Sequence, residues 1–528
     1  LDMWPELRQH ADGSLYTDHG PLSLLVFADD IALVCRNRRH ADLCLRAIAV
    51  ALHYIGSRVN AAKTWQLVRP RSQMQRLHVY RVVNGELVEG ELVQETAELS
   101  KRHGNAYLGI ALTPGMTLVK QRTAALARTV QTLGRATAFS TSHGVADPKI
   151  GAILVHQAYS QLLFASEVWA AVGSAAPYNK VKSAVARACS RALGLRGPPA
   201  NRDAVLGELG ILPPDARVYQ QRLAYWFELL LQPDTRLTRY AYNVSIATLR
   251  GDTAEGVGNR TAWTGPGRNW AHDTRRMLHV LGMGDAWCDA DPERQLLWLT
   301  DRLELQAVHR ASLTDYRAYG ELRNTVRSAA VELVRDWAEA RWHQALTNNP
   351  RTATTASIHR KLEYARYLDA RYDKVARSVR LALRTATFGL HDADDVARCP
   401  TCGEQGRETV EHFLLDCPAL APERDGLMQA LAYAVNTPAL VGLLAHGSPD
   451  RRHTALALAL GGNLDHRPGL EDFHKPSSAA GSASVHPALD RLKALRVTAP
   501  VLRRMAARRG VLVQGQLVGV VAPPTRRR

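Results

Sequence analysis

The stretch LSLLVFADDIALVC, residues 22–35, places two adjacent carboxylates inside an apolar run. Leucine, valine and phenylalanine side chains precede Asp29 and Asp30, and isoleucine, leucine and valine follow them. A buried carboxylate is costly unless a partner neutralises it. Two short apolar segments around a polar break predict an antiparallel hairpin with both aspartates at its turn. The simplest alternative is an exposed turn, because Asp is common in turns.

The composition indicates a multidomain globular protein with an anionic partner. A chain of 528 residues is too long for one hydrophobic core, so we expect roughly two to four domains. Its formal net charge of +17 favours nucleic acid or an anionic membrane surface. No apolar run approaches the length of a membrane span, so we expect no membrane segment. The seven scattered cysteines are not a disulfide framework and indicate a reducing, intracellular compartment.

Periodicity predicts mixed strands and helices at first and helices thereafter. A helix is expected over residues 40–56 with Gly56 as its stop, followed by an Asn-Gly turn inside residues 78–90 and a short strand at 107–113. The helical pattern continues from about residue 116. Residues 250–269 are rich in Gly, Asn and Thr, which predicts weak order there.

Two carboxylates at the turn of a hairpin could bind Mg²⁺. Carboxylates at the tip of a hairpin can project into a cleft, and Mg²⁺ prefers oxygen ligands. Two Mg²⁺ ions about 3.5–4 Å apart stabilise the attacking and leaving oxygens of an in-line displacement at phosphorus. The hairpin is therefore a candidate nucleotidyl-transfer site.

Several stretches in a fixed order resemble the reverse transcriptases of non-LTR (LINE-type) retrotransposons. LLVFADDIALV resembles the metal-binding palm hairpin of that family. The others are YIGSRVNAAKTWQLV (54–68), resembling the next palm motif; YLGIAL (107–112), the primer-gripping motif; LLFASEVW (162–169), a thumb element; and ELGILPPDAR (208–217), which is similar to a segment after the thumb. The resemblance covers residues 1–230, is thin over 231–375, and returns at 376–420.

The resemblance implies a role for individual residues. Asp29 would be a direct Mg²⁺ ligand, and Asp30 would coordinate beside it or shape the turn. Lys63 would lie near the phosphates of the incoming dNTP, although an ordinary solvated lysine is an open alternative, and Gly109 would lie in the primer grip. RNA template and target DNA would be the partners, and a nuclear location would follow.

The sequence departs from the family at its start. The family completes its metal site with another Asp on an earlier strand, and Asp2, Asp12 and Asp18 lie in polar, turn-like surroundings that do not match it. We therefore expect the carboxy-terminal part of a polymerase that is inactive alone. The alternatives are a non-catalytic, zinc-dependent nucleic-acid-binding protein derived from such an element, and a decayed reading frame.

A second motif lies near residue 400. Cys399, Cys402, His412 and Cys417 have the spacing C-x2-C-x9-H-x4-C, and three thiolates with an imidazole suit tetrahedral Zn²⁺. Val410, Phe413 and Leu414 are expected to form a very small core that needs the metal. The motif resembles the carboxy-terminal zinc motif of LINE-type reverse transcriptases.

The preceding helical stretch is basic. Arg377, Arg380 and Arg384 recur at helical spacing and could follow a phosphate backbone, with a solvated helix face as the alternative.

The predicted fold class is α+β: a partial polymerase palm of a β-hairpin and helix, a helical thumb, a helical linker and a small zinc-bound module. The predicted divisions are 1–115 (partial palm), 116–230 (thumb), 231–395 (linker ending in the basic helix), 396–420 (CCHC zinc motif) and 421–528 (helical, then a disordered basic tail).

Overall fold

The structure is a computed structural model that describes most of the chain, in two compact units, Leu1–Ala125 and Leu126–Arg528. Outside the described residues lie 1–6, 10–14, 18–19, 22, 28–29, 36, 67–76, 96–104, 108–109, 113–117, 144–146, 171, 173–175, 196–199, 234–235, 248–269, 305–315, 370–372, 389, 391–397, 405–407, 463, 465–469, 471–486, 511, 514–515 and 518–528.

The first unit contains most of the described strands, which pair mainly as antiparallel neighbours. They are β1 (Leu7–Gln9), β2 (Leu15–Thr17), β3 (Gly20–Pro21), β4 (Ser23–Phe27), β5 (Asp30–Val34), β6 (Trp65–Gln66), β7 (His78–Val83), β8 (Glu86–Leu92), β9 (Gln94–Glu95), β10 (Asn105–Tyr107) and β11 (Ile110–Leu112). Strands β1–β3 form one three-stranded sheet, and β6 pairs with β9 in parallel.

Strands β4 and β5 form the hairpin that residues 22–35 predict. Their register runs from Ser23 opposite Val34 to Phe27 opposite Asp30. Asp30 therefore begins the second strand. Asp29 lies outside the described residues. The antiparallel hairpin is confirmed, while the placement of Asp29 in a metal site stays a prediction.

Helix α1 (Arg38–Tyr54) confirms the helix expected at 40–56. The side chain of Asn37 caps it by accepting a hydrogen bond of 2.9 Å from the backbone N–H of His40. Gly56, with φ of +71°, follows its end. The inner face of α1 buries Leu45 and Ala49 in a small core.

The β7–β8 hairpin supplies the other side of this core. Asn84 and Gly85 connect the two strands, and both have positive φ (53° and 82°), as the predicted Asn-Gly turn requires. Val79 and Tyr80 of β7 are buried in the core, and the hydroxyl of Tyr80 donates a hydrogen bond of 2.5 Å to Asp42 of α1.

The single strand expected at 107–113 is wrong, because two short strands divide that stretch. β10 ends at Tyr107 and β11 begins at Ile110, and the two pair antiparallel. A glycine inside a strand pattern weakens the strand. A prediction based on the apolar residues alone does not take this effect into account. Gly109 itself lies outside the described residues.

The second unit is built mainly of helices. Helix α2 (Val119–Ser142) begins in the first unit and ends in the second. The others are α3 (Pro148–Leu163), α4 (Ser166–Trp169), α5 (Asn179–Ala192), α6 (Arg202–Glu208), α7 (Pro214–Leu231), α8 (Leu237–Ala247), α9 (Trp270–Val280), α10 (Pro292–Arg302), α11 (Tyr316–Thr347), α12 (Ala353–Ile358), α13 (Lys374–Arg384), α14 (Ala421–Ala434), α15 (Pro438–Leu444), α16 (Arg451–Leu460) and α17 (Pro487–Arg508), with a short hairpin of β12 (Leu512–Val513) and β13 (Gln516–Leu517).

Helix α7 is the central helix of this unit, because most of its side chains are buried. It packs along the long helix α11. Three ion pairs join these helices: Glu228 of α7 contacts Arg323 and Arg327 of α11, and Asp215 accepts a bond of 2.6 Å from Arg341. Apolar burial and paired charges thus fix α11 on α7.

A fully buried ionic cluster ties α6 to α13. Arg384 Nε donates to Glu208 Oε1 at 2.7 Å, and the hydroxyl of Tyr367 donates to the other carboxylate oxygen at 2.7 Å. The ring Nδ1 of His359 lies 2.7 Å from a terminal nitrogen of Arg384. Burial disfavours the carboxylate, but Arg384, His359 and Tyr367 more than offset it and lower the pKa of Glu208 to about 2.

The carboxy-terminal helices share one hydrophobic core with the Cys/His motif. Phe413 and Leu414 pack in a cluster with leucines of α14 and α16 and with Leu502 and Met505 of α17. The expectation of a very small, separate zinc module is therefore corrected: its apolar residues are part of a larger helical core. For residues 421–528 we expect helix followed by a disordered basic tail, and the second part is corrected for Pro487–Arg508, which form the helix α17 with a buried inner face.

The chain is mostly helical with small sheets, which confirms the α+β class at that level. The described strands make one three-stranded and five two-stranded sheets. A polymerase palm and thumb therefore remain predictions.

Candidate metal centre

The first two cysteines lie in a tight turn. The N–H of Gly403 donates to the carbonyl of Cys399 at 2.7 Å, and the N–H of Cys399 donates to the carbonyl of Glu404 at 3.0 Å. Gly403 has φ of +77°, a conformation that favours glycine. The turn brings the side chains of Cys399 and Cys402 to one side.

The other two ligands lie at the ends of one wide helical turn. The hydroxyl of Thr409 caps this turn by accepting a hydrogen bond of 3.0 Å from the N–H of His412. The N–H of Cys417 donates to the carbonyl of His412 at 2.7 Å, a bond that spans five residues, as in a π-helix. Such turns are frequent at functional sites. Phe413 and Leu414 point from the same turn into the core.

The four ligand atoms converge, all within 4.8 Å of one another. The sulfurs of Cys399 and Cys417 are 4.0 Å apart, and the sulfur of Cys402 is 3.6 Å from Nε2 of His412. Tetrahedral Zn²⁺ with ordinary bond lengths requires separations of about 3.8 Å between two sulfurs and about 3.6 Å between sulfur and nitrogen. The cluster could therefore hold a metal ion such as zinc.

The electrostatics of the cluster also favour a cation. Burial raises the pKa of the Cys417 thiol to about 12, and it raises the pKa of Cys402 as well. Thiols bind a metal ion as thiolates, and the bound cation compensates the negative charge that deprotonation creates. The pair Cys399 and Cys417 is buried, so the site is closed to solvent on one side.

Two residues that sequence reasoning missed lie next to the ligands. Glu408 is fully buried, with a carboxylate oxygen 3.7 Å from the sulfur of Cys399. Arg509, just beyond α17, binds both oxygens of Glu408 at 2.6 and 2.7 Å. The available signal for Glu408 was an acidic residue one helical turn before the ligand His412. No local signal points to Arg509, which is 101 residues away.

The predicted polymerase residues are only partly described. Asp29 and Gly109 lie outside the described residues, and of Asp30 only its place at the start of β5 is described. Lys63 is exposed at the end of a short 3₁₀ turn, Ala61–Lys63, and its backbone N–H donates to the carbonyl of Asn60 at 3.1 Å. The structure brings none of these residues together with another predicted ligand in the residues it describes.

The predicted phosphate-binding role of Arg380 and Arg384 is corrected. Arg380 is fully buried and donates to the carbonyls of Ala459 and Leu495, and Arg384 is paired with Glu208. The alternative, a solvated helix face, is wrong for them too. Arg377 is half-buried and donates to the carbonyl of Leu368 at 3.3 Å.

Comparison with known proteins identifies no relative: no family model, curated protein or solved structure matches this chain. Among the described residues, no helix combines the length and apolar character that crossing a membrane requires.

Proposed function

We propose that this chain is part of an RNA-directed DNA polymerase of the LINE-type retrotransposon class, with a zinc-stabilised carboxy-terminal region that binds nucleic acid. The observation that carries the proposal is the convergence of Cys399, Cys402, His412 and Cys417, and their spacing resembles that of the zinc motif of the family. The β4–β5 hairpin adds support, because Asp30 follows an apolar strand as in the palm motif.

Zinc is the ion that this donor set favours. Three thiolates and an imidazole are soft to intermediate ligands, and a tetrahedral arrangement of them is typical of Zn²⁺. Four protein ligands leave no open position, which is the pattern of a structural rather than a catalytic zinc site. The ion would hold the turn at Cys399 and the wide turn at His412 together.

In this proposal, the residues that take part in nucleotide transfer lie in the amino-terminal part of the chain. Asp29 and Asp30 would help to bind Mg²⁺, which would stabilise the charge that develops during nucleotide transfer. Lys63 has an exposed ammonium that suits the phosphates of a dNTP. RNA template and target DNA would be the macromolecular partners.

A second function is favoured by specific observations. The net charge of +17 and a closed metal centre suit a non-catalytic nucleic-acid-binding protein derived from such an element. Both functions predict that the chain binds nucleic acid, and only the first predicts that it takes part in DNA synthesis.

Binding is tested with the 528-residue chain and a hybrid of RNA template and DNA primer. We expect tight binding at low salt that weakens as salt rises, and loss of affinity in Cys402→Ser and Cys417→Ser. Cys288→Ser, which removes a cysteine outside the cluster, is the matched control and should bind normally. Absence of binding at low salt, or equal binding by all variants, would overturn the proposal.

Catalysis is tested in a protein that joins this chain to the polymerase segments that the resemblance places before the hairpin. Mg²⁺-dependent primer extension should appear and should be abolished by Asp29→Ala. Extension that survives this substitution would overturn the assignment of Asp29. Binding without any extension would favour the non-catalytic function.

A further inference from the structure

The outer face of α17 carries a row of cations. Between Pro487 and Arg508 the helix has six basic residues and one acidic residue, Asp490. Asp490 is buried and accepts hydrogen bonds from the N–H groups of Asn436 and Thr437, so it does not contribute to the outer face. The exposed basic side chains of α17 are Lys493, Arg496, Arg503, Arg504 and Arg508.

These cations form one stripe, because they recur every three to four residues or in multiples of that spacing. From Lys493 to Arg508 the stripe is about 22 Å long at 1.5 Å per residue. The opposite face of α17 is buried against α13, α14 and α16. The helix is therefore held on the protein by its apolar face, and its basic face is directed outward.

Only part of this charge is neutralised within the protein. Arg503 pairs with Asp373 at 2.7 Å, and Arg508 pairs with Glu423 at 2.8 Å. In the part of the chain that the structure describes, Lys493, Arg496 and Arg504 have no carboxylate within ion-pair distance. An exposed helix face usually mixes both signs at i and i+4, and a row of like charges is unfavourable until an anion binds.

We propose that this row, called here the α17 cationic face, binds the phosphodiester backbone of a nucleic-acid duplex. Phosphate contacts by Lys and Arg supply most sequence-independent affinity for nucleic acid. The proposal rests on the proposed function for the identity of the partner, and it places the binding surface on α17 rather than on α13, where Arg380 and Arg384 are buried.

The residues of the α17 cationic face favour a nucleic-acid duplex over a single strand or a membrane surface. Among the described side chains of α17, the other exposed ones are Pro500 and Ala507, which offer no aromatic ring for bases to stack on, whereas single-strand binding uses such rings. A membrane surface is disfavoured too, because an interfacial helix inserts its apolar face into the lipid, and the apolar face of α17 is buried in the core.

The test is the affinity of the full chain for a duplex of about 20 base pairs, measured by fluorescence anisotropy over a series of salt concentrations. The variant replaces Lys493, Arg496 and Arg504 with Gln. In about 0.1 M salt its Kd should rise at least about tenfold, and the slope of log affinity against log salt should become less steep by about two to three. Zinc content and melting temperature should be unchanged, because the three side chains are exposed.

Two control variants accompany it. Replacing the exposed cations Lys180, Arg302 and Lys361 with Gln removes the same charge from other elements, and it should change Kd less than about twofold. The charge-retaining variant Lys493→Arg, Arg496→Lys, Arg504→Lys should bind as the wild type does.

The outcomes separate this inference from the proposed function. Wild-type binding that the triple Gln variant leaves unchanged would overturn the α17 cationic face alone. No binding by the wild type would overturn the proposed function and this inference with it. Tighter binding to vesicles of anionic phospholipid, or to single strands, than to the duplex would also overturn the inference.

Discussion

At the scale of single residues, the buried carboxylate of Glu208 makes the strongest prediction. Glu208→Gln should lower the free energy of unfolding by about 3–5 kcal/mol, because Arg384 would stay buried without its counter-ion. Urea denaturation followed by circular dichroism measures this loss. Asp289→Asn removes an exposed partner of Arg294 and should cost less than about 1 kcal/mol. Equal effects of the two substitutions would contradict the buried-pair account.

The same carboxylate predicts a pH dependence. Its pKa in the folded chain is lowered to about 2, so the unfolded chain takes up the proton first as the pH falls. The stabilisation by ionised Glu208 is complete above about pH 5 and is lost progressively towards pH 2. The stability difference between wild type and Glu208→Gln should therefore shrink between about pH 5 and pH 3. A difference that stays constant over that interval would rule this explanation out.

At the scale of elements, Arg509 connects the metal centre to the end of α17. Three thiolates around Zn²⁺ carry a net negative charge, so the buried carboxylate of Glu408 beside Cys399 needs a cation. Arg509→Gln should weaken zinc binding about tenfold or more, because groups that support a ligand commonly contribute that much. Competition with a zinc chelator measures the affinity.

The matched control for this substitution is Arg341→Gln. It removes a guanidinium from another buried carboxylate, Asp215, which is not part of the metal centre. It should lower the stability of the chain and leave the zinc affinity unchanged. Loss of zinc affinity in both variants would show that Arg509 acts through general stability.

Local elements were predictable from sequence, and long-range partners were not. The helix α1, the Asn84-Gly85 turn and the four-ligand set are each specified within about twenty residues. The buried arginines of α13 were not predictable, because helical spacing shows that Arg380 and Arg384 share a face but not which face is inside. The partner of Arg384 lies 176 residues away.

At the scale of the whole molecule, the shared core predicts how far the effect of metal removal extends. Phe413 and Leu414 pack with α14, α16 and α17, so chelation should loosen all of these helices together. Hydrogen exchange should accelerate over residues 408–434 and 487–508. The β7–β8 hairpin, which belongs to the other unit, should be unaffected. Acceleration confined to residues 399–417 would instead indicate an independent small module.

The central claim is that one Zn²⁺ is bound by Cys399, Cys402, His412 and Cys417. X-ray absorption spectroscopy on the purified full chain, together with its metal content, tests this most directly. We expect one zinc per chain, with three sulfurs at about 2.3 Å and one nitrogen at about 2.0–2.1 Å. His412→Ala should remove the nitrogen from the first shell. A chain without zinc, or a first shell with a different number of sulfurs, would show that these four residues do not form a zinc site.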